Sequence, residues 1–534
     1  GPEYVLPLFL AQQGYAVVSQ DVRGRYDSPG TFNPFFQEFN DGNDTIVWCV
    51  AQPWSNGKVG TYGASYVGAT QWLAAATQPP GLACMVPTVT GDDYYEGWTY
   101  QGGALQLGFI GSWSLHSLVL ENLDYQEQHE GGHYSHLRDT LIEAADTLPR
   151  SLDHWPLEQF PPLNGNAKLA PYFYEWLRHP RDDDFWRKIR VRDFHSRITV
   201  PALNIGGWAD IFINGTIKNY LGMRRHGGSP AARDGQRLII GPWTHSQIAA
   251  SHSGERYNGL AATEMVMDLL EEHTRWYDYW LKGIDNGYMD EPPVRIFVMG
   301  ENEWRAEHEW PLARTQYVHY YLHSGGHANT LNGDGTLSTA TPWEGEAPDR
   351  FVYDPADPVQ TRGGALCCFD GLLPAGFMDQ REIETRPDVL VYTSAPLDRD
   401  LEVTGPVTVT LHAVTDAPDT DFTAKLVDVH ESGVALALTD GIIRARYRLG
   451  TDAARPVAPN EAHEYRIELL ATSNLFKKGH RIRLEVSSSN FPRFDRNPNT
   501  GAEPAQATAV QPAHQTILHA PQYPSRVTLP VIPR

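Results

Sequence analysis

Cysteine is scarce in this sequence: Cys49, Cys84, Cys367 and Cys368 are the only four among 534 residues, two of them adjacent and none in a C-x-x-C pair. That pattern indicates neither a disulfide scaffold nor a zinc knuckle and fits a reducing, cytoplasmic setting. Positive charge is also in short supply. Lys and Arg number 43 against 65 Asp and Glu, a formal net charge of −22, which is the wrong sign for gripping phosphate backbones or anionic lipid. Nucleic acid and membrane are therefore not expected partners. No apolar run approaches the roughly 18 residues of a membrane span, and no basic-then-apolar leader opens the chain, although a leader lost from its start would weaken the cytoplasmic reading.

Aromatic surface, by contrast, is plentiful. With 15 Trp, 25 Tyr and 19 Phe, and charged residues at only 20%, the chain is composed to bury a core and not to stay disordered. At roughly 100 to 200 residues per domain, its length implies about three domains.

The first third alternates helix and strand signals. Glu3 to Gln13 predicts a helix ending at Gly14, Tyr15 to Gln20 a short apolar strand, and Asp21 to Asn33 a polar loop. Asp41 to Gln52 reads as a helix, Lys58 to Tyr62 as a strand, Tyr66 to Thr77 as a helix and Leu82 to Val89 as a buried strand, a βαβαβ rhythm that argues for an α/β sheet. From 93 to 198 the strand signal fades and helical segments such as Tyr172 to Leu177 and Asp182 to Ile189 dominate, as in an inserted cap. Strands return at Pro201 to Ile205, Arg237 to Ile240 and Val294 to Met299. Before the last of these, a periodic helix from Glu264 to Lys282 carries Val266, Leu269, Leu270, Tyr277, Trp280 and Leu281 on one face. Beyond Leu312 the period becomes two, as in Val407, Val409, Leu411, Ala413 and in Val527, Leu529, Val531; about ten such segments suggest a jelly-roll β-sandwich. The expected domains are thus a core in two parts, 1–92 and 199–312, a helical cap at 93–198 and a sandwich at 313–534.

The strongest chemical signal is Val59-Gly-Thr-Tyr-Gly63-Ala-Ser65-Tyr-Val-Gly68, a strand running into a helix with a serine at the turn. A nucleophile elbow needs small residues there so that the Ser Oγ projects above the sheet. The spacing is G-x-S-Y-x-G, with the second glycine one place later than in G-x-S-x-G. A serine hydroxyl also needs a general base and a carboxylate to orient it, in chain order Ser, acid, His. Asp210, in Gly206-Gly-Trp208-Ala-Asp210, and His245, in Gly241-Pro-Trp-Thr-His245, follow two later strands in that order. Taken singly, Asp210 could be a helix N-cap and His245 a surface loop residue.

These segments, together with Gly14 to Gly24, Thr420 to Asp428, Ala471 to Asn474 and Ser487 to Pro492, resemble the bacterial cocaine esterases, within the wider group of X-Pro dipeptidyl-peptidases and α-amino-acid ester hydrolases. The resemblance covers almost the whole chain. It implies an α/β-hydrolase core, a helical cap and a C-terminal jelly roll, with Ser65 as nucleophile, His245 as general base and Asp210 as the orienting acid. The backbone N–H of Tyr66 should be one oxyanion donor. In similar enzymes the other is a tyrosine hydroxyl in an Asn/Thr-Pro-Tyr segment well before the serine, which this chain starts too late to contain. The first strands of the core and that donor are accordingly expected to be missing, as from a truncated gene.

Asp92, Tyr95, Trp98, Phe109 and Trp113 open the cap and could line an aromatic acyl pocket with Trp208 and Phe212, or simply pack cap to core. Ile211, Phe212 and Ile213 occupy the stretch where amino-acid ester hydrolases carry part of an ammonium-binding carboxylate cluster, which disfavours an amine-recognising enzyme; Asp92, Asp93 and Glu96 keep it open. His129, His133 and His136 are spaced as metal ligands might be but read as a solvated loop, and Asn332-Gly-Asp-Gly335 as a turn and not a calcium loop. No cofactor and no metal is expected. The reading is a serine hydrolase of small-molecule acyl esters or amides, with an X-Pro dipeptidyl-peptidase or β-lactam acylase as the alternative on the same scaffold. An inactive or binding protein is the alternative of another kind, and a homodimer is left open.

Overall fold

The computed structural model describes residues 2–131, 134–164 and 168–534. Its catalytic half is a six-stranded sheet, β1 (Val59–Ala64), β2 (Leu82–Thr88), β3 (Leu203–Ala209), β4 (Arg237–Thr244), β5 (Val294–Val298) and β6 (Glu303–Glu307), whose order in space is its order in the chain. The first five strands are parallel and β6 runs antiparallel to β5. Leu203, Ile205, Leu238, Ile239 and Ile240 are buried, the near-continuous apolar run required of parallel strands covered on both faces. Two helices, α1 (Pro2–Gln12) and α2 (Glu38–Val50), precede β1, and the crossover helices include α3 (Tyr66–Ala75), α4 (Ile213–His226) and α5 (Leu269–Tyr277). Between β2 and β3 the described residues from Leu107 to Arg197 carry helices and turns and no strand.

Three local expectations are corrected. Tyr15–Gln20 forms no ladder with any described strand; it packs on one side only, where the Tyr15 hydroxyl donates to Asp278 (2.6 Å) and its ring meets Tyr277, while Ala16 and Val18 stay exposed. An apolar run with one covered face cannot serve as a central parallel strand. The helix expected over 264–282 is regular only over α5, because the Asp268 carboxylate caps the N–H groups of Leu270 and Glu271 and starts it there, leaving Met265 and Val266 exposed. Asp278–Lys282 continues as a π turn. A similar cap by Asp183 confines the helix expected at 182–189 to Asp184–Arg187.

The C-terminal region is all β. Fourteen strands form one hydrogen-bonded system of jelly-roll type, including β7 (Gln316–His323), β8 (Thr408–Thr415), β9 (Asp421–Val429), β10 (Ala435–Arg444), β11 (Arg481–Ser487) and β12 (Arg526–Ile532). Period two is obeyed: Val409, Leu411, Ala413, Val527 and Leu529 are fully buried. The sandwich is bonded to the catalytic half, with Met299 N–H donating to Ser473 O (3.1 Å) and Leu475 N–H to Met299 O (2.7 Å). Asn214 on α4 adds a link by accepting from Ala471 N–H (2.9 Å). Cys367 and Cys368 are joined as a disulfide between neighbours. It closes no loop, so it is not the scaffold that the composition excluded. Among the described residues no helix is long and apolar enough to cross a membrane.

Candidate active site

Ser65 stands between β1 and α3 at φ 58° and ψ −122°, a conformation that L-residues rarely adopt and that must be held by its surroundings. Its N–H donates to Thr88 O (2.9 Å), and its carbonyl accepts from Thr90 Oγ1 (2.9 Å). Gln71, buried one and a half turns into α3, clamps the rest: its amide nitrogen donates to Gly63 O (3.1 Å) and Val67 O (3.0 Å), and its amide oxygen accepts from Val86 N–H (3.2 Å). The unusual glycine spacing has a steric reason. A Cβ on Gly63, at φ 145°, would lie 2.6 Å from a Val67 methyl, and one on Gly68 would lie 2.9 Å from Thr90 Cβ. Glycine is therefore required at 63 and 68, where backbone meets its neighbours, and not at 67, whose side chain is 43% exposed.

Asp210 follows β3 and His245 follows β4, so both stand with Ser65 at the carboxyl ends of strands, where open α/β sheets place their sites. Asp210 is fully buried and its Oδ1 lies 2.7 Å from His245 Nδ1, which fixes the ring and leaves Nε2 for other work. Among the described residues no hydrogen bond joins Ser65 Oγ to His245, as is common before substrate tightens such contacts. The Tyr66 N–H opens α3 and is one of the four donors that a helix leaves without an intrahelical partner. The Tyr66 side chain turns the other way: its hydroxyl donates to Glu38 (2.7 Å) and accepts from Phe35 N–H (3.0 Å). Burial pushes the Glu38 carboxyl up to about 7.

Four of the expected lining residues meet beside the imidazole. Phe212 presents its ring edge-on to His245 (5.2 Å between centroids), stacks on Trp98 (4.1 Å) and touches Phe109, which stacks on Trp113 (5.6 Å). The remaining three go elsewhere. Tyr95 packs against Tyr100 and Trp186 and donates to Pro180 O, and Trp208 donates to Phe297 O and packs on Trp310. Asp92 is buried with its carboxyl raised by burial, offset in part by Lys218 and Arg192. Its Oδ2 has no hydrogen-bond partner, whereas its neighbours are engaged: Asp93 pairs with Arg192 (2.5 Å) and Glu96 accepts from Gly102 N–H (3.2 Å).

The other wall comes from the β domain. Ser112 Oγ donates to Cys367 O (3.4 Å), the His116 ring stacks on Phe369 (3.7 Å) and Gln247 donates to Asp370 (3.0 Å), so the loop around Cys367 is tied to the helical insert and to the segment just after His245. Sequence reasoning missed this wall and Gln71; the adjacent cysteines were its one visible mark. Two clusters could hold a metal ion among the described residues, each with ligand atoms within 4.8 Å of one another: His245 with Cys367 and Cys368, and Asp428 with His430 and His480. The second lines a cavity of about 520 Å³, with Arg256 and Lys477, that includes no residue of the Ser65 site. Of the three spaced histidines, His129 bonds Tyr125 O (2.9 Å), while His133 lies outside the described residues. Asp334 ties the 332–335 turn by accepting from Gly325 and His327 N–H.

Residues 3–247 match the X-Pro dipeptidyl-peptidase (S15 family), and residues 286–528 match the X-Pro dipeptidyl-peptidase C-terminal non-catalytic domain. Over 538 residues the chain is 37% identical to a cocaine esterase of Rhodococcus sp. (strain MB1 Bresler), covering 99% of this chain and 90% of that one. The chain belongs to the S15 family. Among solved structures, this S15 protein superposes on an α-amino acid ester hydrolase with a TM-score of 0.81 at 26% identity, covering 98% of this chain and 87% of that one. An aminopeptidase from a marine sediment Thaumarchaeota archaeon gives 0.80 at 25%, covering 99% and 87%. As a member of this family with a cocaine esterase as its relative, the protein is a serine hydrolase.

Proposed function

We propose that this protein hydrolyses small-molecule acyl esters through an acyl-enzyme on Ser65. The observation that carries the proposal is the 2.7 Å bond between His245 Nδ1 and Asp210, set at the strand ends beside a serine in an elbow conformation. In this reading His245 Nε2 takes the Ser65 proton as Oγ attacks the acyl carbonyl, Asp210 stabilises the imidazolium, and the Tyr66 N–H receives the developing oxyanion. The proton then passes to the leaving alcohol, and water repeats the cycle to release the acid. The ring cluster of Trp98, Phe109, Trp113 and Phe212 favours an aromatic or bulky apolar acyl group. The scarcity of cysteine favours a cytoplasmic setting.

The dipeptidyl-peptidase alternative needs free carboxylates to bind an N-terminal amine. Asp93 pairs with Arg192 and Glu96 accepts from Gly102 N–H, which supports the ester reading, while Asp92 keeps a buried Oδ2 without a hydrogen-bond partner. The test is pre-steady-state turnover of an aromatic p-nitrophenyl ester against Gly-Pro-anilide. A stoichiometric burst with the ester and little turnover of the anilide is expected, together with fluorophosphonate labelling that Ser65→Ala abolishes. Preference for the anilide would make it a peptidase; no burst and no labelling would point to a binding protein.

A further inference from the structure

We propose that Cys367 and Cys368, once reduced, form with His245 a site for a thiophilic divalent cation of the zinc type, and that occupancy of this site silences the enzyme. The silencing, though not the binding, rests on the reading of His245 as general base.

Three observations converge on this point. A ring nitrogen of His245 and the two sulfurs lie within 4.8 Å of one another. Ligands on a tetrahedral zinc ion, at about 2.0 to 2.3 Å from the metal, sit roughly 3.4 to 3.8 Å apart, so the sulfurs, freed by reduction, would swing apart beside the ring nitrogen to complete the set and leave a fourth position for water. Second, Nδ1 is already bonded to buried Asp210. A carboxylate behind the imidazole is the usual support of a metal-binding histidine, since it orients Nε2 and raises its basicity. Third, the sulfur pair is placed by its loop: Ser112, His116 and Gln247 hold Cys367 to Asp370 against the mouth, while Cys368 sits at φ 82°, a conformation unfavourable for any residue but glycine. Cys368 is partly exposed, and the His245 side chain reaches solvent over 8% of its surface, so an ion would enter from the Cys368 side.

The disulfide is the closed state of this site, because neither sulfur then offers a thiolate. A dithiol reductant opens it, delivering two electrons and two protons to the S–S bond and leaving as its own disulfide. Ion binding then releases the two thiol protons to solvent and occupies the Nε2 lone pair, the same pair that must take the Ser65 proton. Catalysis and ion binding are therefore mutually exclusive, and oxidation of the pair shields the enzyme from the ion.

The experiment uses the full chain in two states, oxidised and reduced with dithiothreitol then desalted without air, and titrates each with zinc sulfate. The reduced protein should lose on the order of tenfold or more of its ester turnover at micromolar zinc and regain it with EDTA. The oxidised protein, itself the folded control, should be indifferent, and so should Cys367→Ser/Cys368→Ser, each rate being compared with its own zinc-free value. Cobalt(II) supplies a readout independent of activity: a thiolate-to-cobalt charge-transfer band is expected in the reduced protein, weakened by His245→Ala and absent from the double variant. No band, or equal inhibition of the double variant, would overturn the site. A band without inhibition would leave the site standing but overturn the silencing, and with it the role given to His245.

Discussion

The elbow around Ser65 is held by partners no more than 25 residues away, Gln71, Thr88 and Thr90. The wall facing His245 is assembled across the chain, with 255 residues between Ser112 and Cys367 and 123 between Gln247 and Asp370. The clamps of the first side, Gln71, Thr88 and Thr90, are buried, and each amide atom of Gln71 is satisfied by strand or helix backbone; the second side joins buried Ser112 and Cys367 to partly or fully exposed His116, Gln247, Phe369 and Asp370, and its ties are single contacts at a domain junction. Stiffness where charge develops and looseness where a loop closes over it suit the two tasks, since preorganised donors must not move while a mouth must.

That contrast can be broken in graded steps. Asp210→Asn should cost about 10⁴-fold in ester turnover with little change in stability, because it deprives the imidazole of its tautomer while filling the same space; a loss under tenfold would remove Asp210 from the proposed machinery. Gln71→Leu should lower stability in urea by roughly 2–4 kcal/mol, since it takes the side-chain partners from buried Val86 N–H and from Gly63 O, while Val67 O keeps Thr70. Retention of full stability would show that the elbow holds itself.

Glu38→Gln tests the same side through pH. The buried carboxyl titrates at about 7 instead of 4.5. Its contribution to stability is therefore fully present below about pH 4.5 and lost as pH rises through 7, because ionisation favours the unfolded chain. Wild-type stability should fall across that window, and the variant should regain roughly 3 kcal/mol at pH 8 and nothing at pH 4. Glu96, also raised to about 7 by burial against the pull of Lys218, preserves part of the slope. On the loose side, Gln247→Ala should change stability by no more than about 0.5 kcal/mol in thermal unfolding; a cost above about 2 would erase the distinction between the two walls.

What could be read in advance follows the same division. The βα rhythm of 58–89, the serine at its turn and the two strand ends before Asp210 and His245 were legible because they depend on neighbours in the chain. Tyr15–Gln20 looked like a strand by composition, but a ladder needs a partner that composition does not show. The onset of α5 was hidden by a periodicity that ran on through Val266, while Asp268 set the start by capping. Trp208 and Tyr95 were placed with the pocket because aromatic residues near a site look alike in sequence; which face of the sheet they take is decided by packing. The loop at Cys367 belonged by sequence to a separate sandwich, and nothing local says that it reaches His245.

The pairing of β12 with β7, Val531 opposite Gln316, gives the molecule a timetable. The six catalytic strands join neighbours in the order in which a ribosome releases them, so that half can organise early. The sandwich cannot close until residues 526–532 have emerged, and with it the loop that faces His245 has no fixed seat. A nascent chain would thus carry its nucleophile long before its active-site mouth, and hydrolytic competence would wait for residues 526–532.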